Sequence, residues 1–275
     1  MPKFAANLTM LYAEHDFLDR FAAAAADGFT GVEYLFPYAH PADTLAERLR
    51  RHSLTQVLHN LPAGDWDAGE RGIACLPGRT GEFQDGVAKA IAYATALGCP
   101  QVNCLAGKAP AGVPQERLEQ TLVDNLTFAA RALKDAGIRL LVEPINTRDI
   151  PGFHLSTTAH AERLLDAVGS DNLFIQYDVY HMQIMEGDLT PTIRRLLPKI
   201  AHVQVADTPG RNEPGTGEIN YGYVFSTLDR LGYGGWVGCE YKPAGRTSDG
   251  LGWLAPYRAS GRGAPSAAPV PEQAV

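Results

Sequence analysis

"IRLLVEPIN", residues 138–146, opens as an apolar run of Ile138, Leu140, Leu141 and Val142 and closes on an acid, Glu143, followed at once by Pro144. Such a run reads as a strand buried on both faces, the pattern of a parallel sheet covered by helices. The same unit recurs along the chain. A helical pattern closes near a glycine and a short β-rich run follows, at "DGFTGVEYLF" (27–36), "LGCPQVNCLAG" (97–107), "DAGIRLLVEPI" (135–145), "GSDNLFIQYDV" (169–179) and "LGYGGWVGCEY" (231–241). The glycine suits the position just past a helix end, where left-handed backbone is needed. Between the strands lie amphipathic stretches. In 114–137, Leu118, Leu122, Leu126, Ala129 and Leu133 recur at steps of three and four, with Pro114 at the start and Gly137 at the stop.

Counting outward gives eight strands, near 4–9, 31–36, 54–60, 100–105, 138–143, 173–178, 200–205 and 236–240. Helices fit near 16–27, 41–51, 82–97, 114–135, 156–168, 189–197 and 221–231. Eight alternations in 275 residues predict a single-domain (β/α)8 TIM barrel over residues 1–258 rather than an open doubly wound sheet. Residues 259–275, rich in Ala, Pro and Gly, offer little to bury and read as a flexible tail. One long insert, "NLPAGDWDAGERGIACLPGRTGEF" (60–83), is of a length that usually covers a site.

The net charge of −7 and the lack of a dense basic surface argue against nucleic acid and anionic membranes as partners. No stretch is long and apolar enough for a membrane span, and the N-terminus does not read as a signal peptide. Cys75, Cys99, Cys104 and Cys239 show no CxxC spacing, which fits a reduced, cytoplasmic protein. The oligomeric state is open, a homo-oligomer included.

In a TIM barrel of this type the active site lies at the C-terminal ends of the strands. Strand three ends in His59-Asn60, and strand five in Glu143. Strand six ends "IQYDVYH", with Asp178 and His181, strand seven "HVQVAD", with His202, Gln204 and Asp207, and strand eight "GCEYK", with Glu240 and Lys242. Alternation puts Gln204 on the face of His202 and turns Cys239 away from Glu240, toward the helices. Glu143, Asp178, Gln204 and Glu240 thus come from four successive strands. Three carboxylates in one mouth repel and raise one another's pKa. A divalent cation relieves this, and a set of three carboxylates and one amide suits Mg²⁺ or Mn²⁺ better than Zn²⁺. A lone acid at a strand end is commonly only a helix cap or a loop ion pair, and four in succession weigh against that. For His59, His181 and His202 core packing stands beside a role in the site, and Glu33 and Asp207 read as structural ions.

Several segments resemble the hydroxypyruvate isomerase family of xylose-isomerase-like TIM barrels, over roughly residues 1–257. They are "NLPAGDWDAGERGIAC" (60–75), "LVEPIN" (141–146), "FIQYDVYH" (174–181), "AHVQVADTPGRNEPGTGEINY" (201–221) and "GCEYKPAGRTSDGLGW" (238–253). The resemblance implies a divalent metal at Glu143, Asp178, Gln204 and Glu240, with Glu143 and Glu240 as the acid–base pair. It implies interconversion of hydroxypyruvate and tartronate semialdehyde (2-hydroxy-3-oxopropanoate) through a cis-enediolate. The family includes 2-oxo-tetronate isomerases, which act on a four-carbon homologue. One departure is Ala244, where the family pattern has Arg; Arg246 stands two residues on.

A small hydroxy-oxo acid needs cations for its carboxylate, and Lys242, Arg71 and Arg211 are the candidates, in that order. His59 and His181 are candidate substrate contacts. The loop around Glu70-Arg71 is placed to close over the site and exclude water. The rival readings are a ketose 3-epimerase, an endonuclease on the same barrel, and a non-catalytic metal or sugar-acid binding protein. The first leaves the cations unexplained. The second calls for more histidine ligands and a basic surface. The third needs no acid–base pair.

Overall fold

The computed structural model describes residues 2–258; the segment read as a tail, 259–275, lies outside the described residues. Eight strands alternate with helices along the chain: β1 (Lys3–Asn7), α1 (Arg20–Ala26), β2 (Gly31–Glu33), α2 (Ala42–Arg51), β3 (Thr55–Asn60), α3 (Thr80–Leu97), β4 (Gln101–Cys104), α4 (Gln115–Asp135), β5 (Arg139–Val142), α5 (Thr158–Val168) and β6 (Leu173–Asp178). They continue with α6 (Val179–Met185), α7 (Leu189–Leu196), β7 (Ile200–Val205), α8 (Tyr221–Arg230), β8 (Trp236–Cys239) and a last turn, α9 (Ala255–Arg258). The strands close into a parallel barrel in sequence order. β8 completes it against β1, pairing Lys3 with Trp236 and Ala5 with Gly238.

Local chemistry sets the helix ends. α3 and α5 stop at Gly98 (φ 62°) and Gly169 (φ 64°), both left-handed. Thr157 caps α5 by accepting from the His160 amide. One helix goes beyond the sequence expectation. α6 follows β6 with no intervening loop, because Asp178 ends the strand and caps the helix through the Tyr180 amide (2.8 Å).

Strand alternation divides the molecule. Outward residues such as Val102, Leu140, Val142, Ile175, Val203, Val237 and Cys239 pack into the shell under the helices. A second cluster of Ala5, Val57, Leu58, Leu141 and Ala201, with Phe174 and Trp236, forms a small apolar plug, Ala201 being the extra residue where the β6–β7 register shifts. Above it lies a polar layer around Glu33. The Glu33 carboxylate accepts from Asn7 Nδ2 (3.0 Å) and Gln204 Nε2 (2.7 Å), and its other oxygen pairs with His202 Nε2 (2.7 Å). Gln176 Nε2 donates to Gln204 Oε1 at 2.6 Å. A carboxylate so deep is tolerable only because it is multiply bonded.

Gly238 makes room for this carboxylate. A Cβ built there lies 2.4 Å from both Glu33 oxygens. Gly238→Ala should therefore destabilise the fold by about 1–3 kcal/mol, the usual cost of overpacking a filled interior. Urea denaturation of the variant checks this, and an unchanged midpoint would mean that the Glu33 layer yields easily.

Candidate active site

The polar layer supports a cavity of about 870 Å³ at the C-terminal ends of the strands. Glu143 and Glu240 stand one residue past β5 and β8, which lie three strands apart in the closed barrel and so face each other across its mouth. Glu143, Gln204, Glu240, His181, Arg71, Arg211 and Lys242 all line the cavity. Asp178, fully buried, closes the wall beneath His181, its Oδ2 3.5 Å from His181 Nε2. His181 Nε2 also lies 3.8 Å from Glu143 Oε1, and Asn146 holds its Nδ1 at 2.6 Å.

Two of the residues singled out in the sequence stand elsewhere. His59 does not line the cavity. Its neighbour Asn60 takes the inward face, and the His59 ring is fully buried against Tyr38, with Nδ1 3.1 Å from the Asn60 carbonyl. Burial pushes its pKa down to about 4. Glu70 faces its own loop: it accepts from the Asp65 amide (2.5 Å) and pairs with Arg79 (2.6 Å). The next residue, Arg71, reaches the cavity, stacked 4.0 Å over the Trp66 ring and donating to the carbonyls of Trp66 and Glu70. Arg246 is exposed and does not line the cavity, so it does not stand in for an arginine at 244. Glu33, which also lines the cavity floor, and Asp207 are each tied into a structural hydrogen-bond network. Asp207 accepts from the amides of Thr208, Gly215 and Ile219 and so shapes the loop after β7.

Sequence reasoning missed Asn103, Asn146, Asp149 and Tyr180. Asn103 Nδ2 donates to Glu143 Oε2 at 2.9 Å. Asp149 accepts from Tyr180 Oη (3.0 Å) and pairs with Arg211 Nη1 (3.5 Å). Arg211 reaches Glu240 Oε1 with its other arm (3.3 Å), from a left-handed backbone (φ 55°) that costs a non-glycine residue about 1–2 kcal/mol. Asn103 sits near the end of β4, the signal that marked the acids, and Asn146 lies in the loop after β5, but neutral amides carry no charge conflict to draw notice. Lys242 is exposed, and no ion pair engages it among the described residues.

The electrostatics converge on one need. Burial, then Glu240 and Asp178, raises the Glu143 pKa well above the carboxylate range. Burial raises Asp178 as well, to about 6, and Glu240 to about 8, although Arg211 opposes both shifts. Asp178 Oδ2 is buried with no hydrogen-bond partner, although its other oxygen caps α6. Ligand atoms of Glu143, Asp178 and His181 lie within 4.8 Å of one another. This donor set is compatible with a divalent metal: the cation would satisfy the orphaned oxygen and reverse the repulsion.

These raised pKa values make stability depend on pH. With no cation bound, the folded state keeps protons on these groups that the unfolded chain releases above about pH 4.5, so stability falls as pH rises toward about 8. The melting temperature of chelator-treated protein should fall from pH 5 to 8, and a saturating divalent cation should flatten the fall. A flat profile in the chelated protein would show that the acids ionise freely without a cation.

Comparison with known proteins agrees with this architecture. The model of the xylose isomerase-like TIM barrel family matches residues 21–257. The hydroxypyruvate isomerase of Escherichia coli is 57% identical over 258 residues, covering 94% of this chain and 100% of that protein. A 2-oxo-tetronate isomerase of Cupriavidus necator is 51% identical over 257 residues, covering 94% and 99%. A crystal structure from Brucella melitensis, described as AP endonuclease, family 2, is 49% identical, covers 94% of this chain and 99% of its own, and superposes with a TM-score of 0.92. The chain belongs to the xylose isomerase-like TIM barrel family and, within it, to the group of hydroxypyruvate and 2-oxo-tetronate isomerases.

Proposed function

We propose that this protein interconverts hydroxypyruvate and tartronate semialdehyde, with Glu143 and Glu240 as the acid–base pair. The observation that carries the reading is the pairing of two buried carboxyls on facing strand ends with three cationic side chains in the same cavity. Burial and mutual repulsion raise both pKa values, so the two carboxyls resist ionising together; a bound cation would favour ionisation of one as the base while the other keeps its proton as the acid.

Hydroxypyruvate carries a carbonyl at C2 and a hydroxyl at C3. The ionised glutamate removes a proton from C3, and the electron pair moves into the C2 carbonyl, giving a cis-enediolate. The protonated glutamate delivers a proton to C2 while the O–H proton passes from the C3 oxygen to the C2 oxygen. A divalent metal, Mg²⁺ or Mn²⁺, held by Glu143, Asp178, Gln204 and Glu240 would supply polarisation of the two substrate oxygens when bound. Gln204 has a carbonyl lone pair left for this role after accepting from Gln176. Lys242, Arg71 and Arg211 hold the substrate carboxylate, and the Trp66-Arg71 loop limits access of water.

Glu→Gln keeps the shape and one oxygen but cannot accept the proton. Glu143→Gln and Glu240→Gln should each lose about 10²–10⁴ in isomerisation rate at saturating Mg²⁺ or Mn²⁺. One of the two should still exchange the substrate C–H with solvent, followed by NMR in D₂O. Recovery of both variants by excess metal would make these acids ligands alone. Hydroxypyruvate and 2-oxo-tetronate, run side by side in the same assay, decide between the three- and four-carbon acid.

Lys242→Ala should raise KM for the acid substrate by the equivalent of about 1.5–3 kcal/mol, the worth of a charge-assisted hydrogen bond. Turnover of an uncharged hydroxyketone should be little changed. Equal losses on both substrates would move Lys242 from the carboxylate to the fold.

A further inference from the structure

We propose that Glu119, His154 and His160 form a second divalent-cation site, of the zinc class, on the helical shell. The three residues come from separate segments: Glu119 from the second turn of α4, His160 from the first turn of α5, and His154 from the loop between β5 and α5. His154 Nε2 and His160 Nε2 each lie 2.9 Å from Glu119 Oε2, and His160 Nε2 lies 3.1 Å from Oε1. All three ligand atoms fall within 4.8 Å of one another.

Ligand atoms at ordinary zinc distances stand about 3.3 Å apart in a tetrahedral shell. Both histidine–carboxylate separations are within a few tenths of an ångström of that spacing, so an ion enters with small side-chain shifts. Two imidazoles and a carboxylate favour Zn²⁺, Co²⁺ or Ni²⁺ over the hard cations that suit the oxygen-rich barrel mouth. The surroundings are also those of a metal ligand. Gln115 contacts His154 Nδ1 at 3.3 Å. With its amide turned by half a rotation, Gln115 presents its carbonyl to Nδ1–H and leaves the Nε2 lone pair for the cation. The His154 side chain is fully enclosed, whereas that of Glu119 is about one-third exposed, which gives an ion an entry path and leaves room for a water ligand.

The position gives the site a consequence. The loop bearing His154 also bears Asn146, which holds His181, and Asp149 and Ile150, which line the catalytic cavity. Its neck is drawn together by Ile145 N donating to Leu155 O (3.0 Å), and His154 N ties it to the loop after β4 by donating to Gly107 O (2.9 Å). An ion bridging α4, α5 and His154 fastens that neck from outside, so its binding should stabilise the folded chain.

The test is titration of the full chain with Co²⁺ and then Zn²⁺, in saturating Mg²⁺, for wild type, His160→Ala and Glu119→Gln. Wild type should bind one more Co²⁺ per chain than either variant, with visible absorption from an imidazole-ligated ion that Zn²⁺ displaces. Zn²⁺ should raise the melting temperature of wild type more than that of either variant. The isomerase rate of both variants in Mg²⁺ should stay at the wild-type level, which separates this site from the acid–base machinery. Equal Co²⁺ binding by all three proteins, or none by wild type, would reduce the trio to a hydrogen-bonded cluster and overturn the proposal. If His160→Ala fails to fold, Glu119→Gln carries the comparison alone.

Discussion

The carboxylate of Glu33, held in the middle of the barrel by Asn7, His202 and Gln204, is the constraint on which the interior depends. Because its oxygens accept the Gln204 amide N–H, the Gln204 carbonyl must turn toward Gln176 and the cavity. Because the carboxylate needs volume, strand β8 carries a glycine at 238. The spacing of Gly238 and Glu240 along that strand then places a large acid one layer up, on the same face. One buried charge thereby fixes an amide, a glycine and the floor beneath the candidate active site.

Above that floor the acids repel one another. Two unit charges about 5 Å apart at an effective dielectric of 20 oppose each other by about 3 kcal/mol, roughly two pKa units. Burial is the main cause of the upward shifts of Glu143, Asp178 and Glu240, and that repulsion adds to it at Glu143 and Glu240. Arg211 relieves part of it, since it pairs with Glu240 while also answering Asp149. A divalent ion among the acids would bring two charges of the right sign into the same space and would relieve Arg211 of part of that role.

The eight strands were legible because they are short, several are largely apolar and run into a polar residue, and glycine stops precede several of them. Position 59 shows the limit. His59 and Asn60 are neighbours, so only one can face inward, and nothing local says which; the pairing of β3 with β4 decides for Asn60. Helix α6 was hidden for a different reason. "LFIQYD" runs into "VYHMQIM" without Gly or Pro, and the single residue Asp178 ends one element and caps the next. At that position the commonplace reading of a strand-end acid as a cap holds for one oxygen, while the other is buried with no hydrogen-bond partner. Glu33 was legible as an ion but not as the keystone, since its partners lie 26, 169 and 171 residues away.

The acids and the cations of the cavity stand on different scaffolds. Glu143, Asp178, Gln204 and Glu240 are at strand ends, locked by the barrel ladder and by the polar layer. Arg71, Arg211 and Lys242 are on loops; Arg71 donates to the carbonyls of Trp66 and Glu70, and Lys242 N donates to the Arg211 carbonyl (2.8 Å). A proton transfer loses rate steeply with misplacement, whereas a carboxylate clamp tolerates a longer substrate if a loop shifts. Relatives named for a three-carbon and a four-carbon acid stand at 57% and 51% identity, so whole-chain similarity separates them poorly. On this division the strand ends are common to both chemistries. Under the proposed function substrate length would then be read by the loops, where Lys242 is an exposed cation at the cavity.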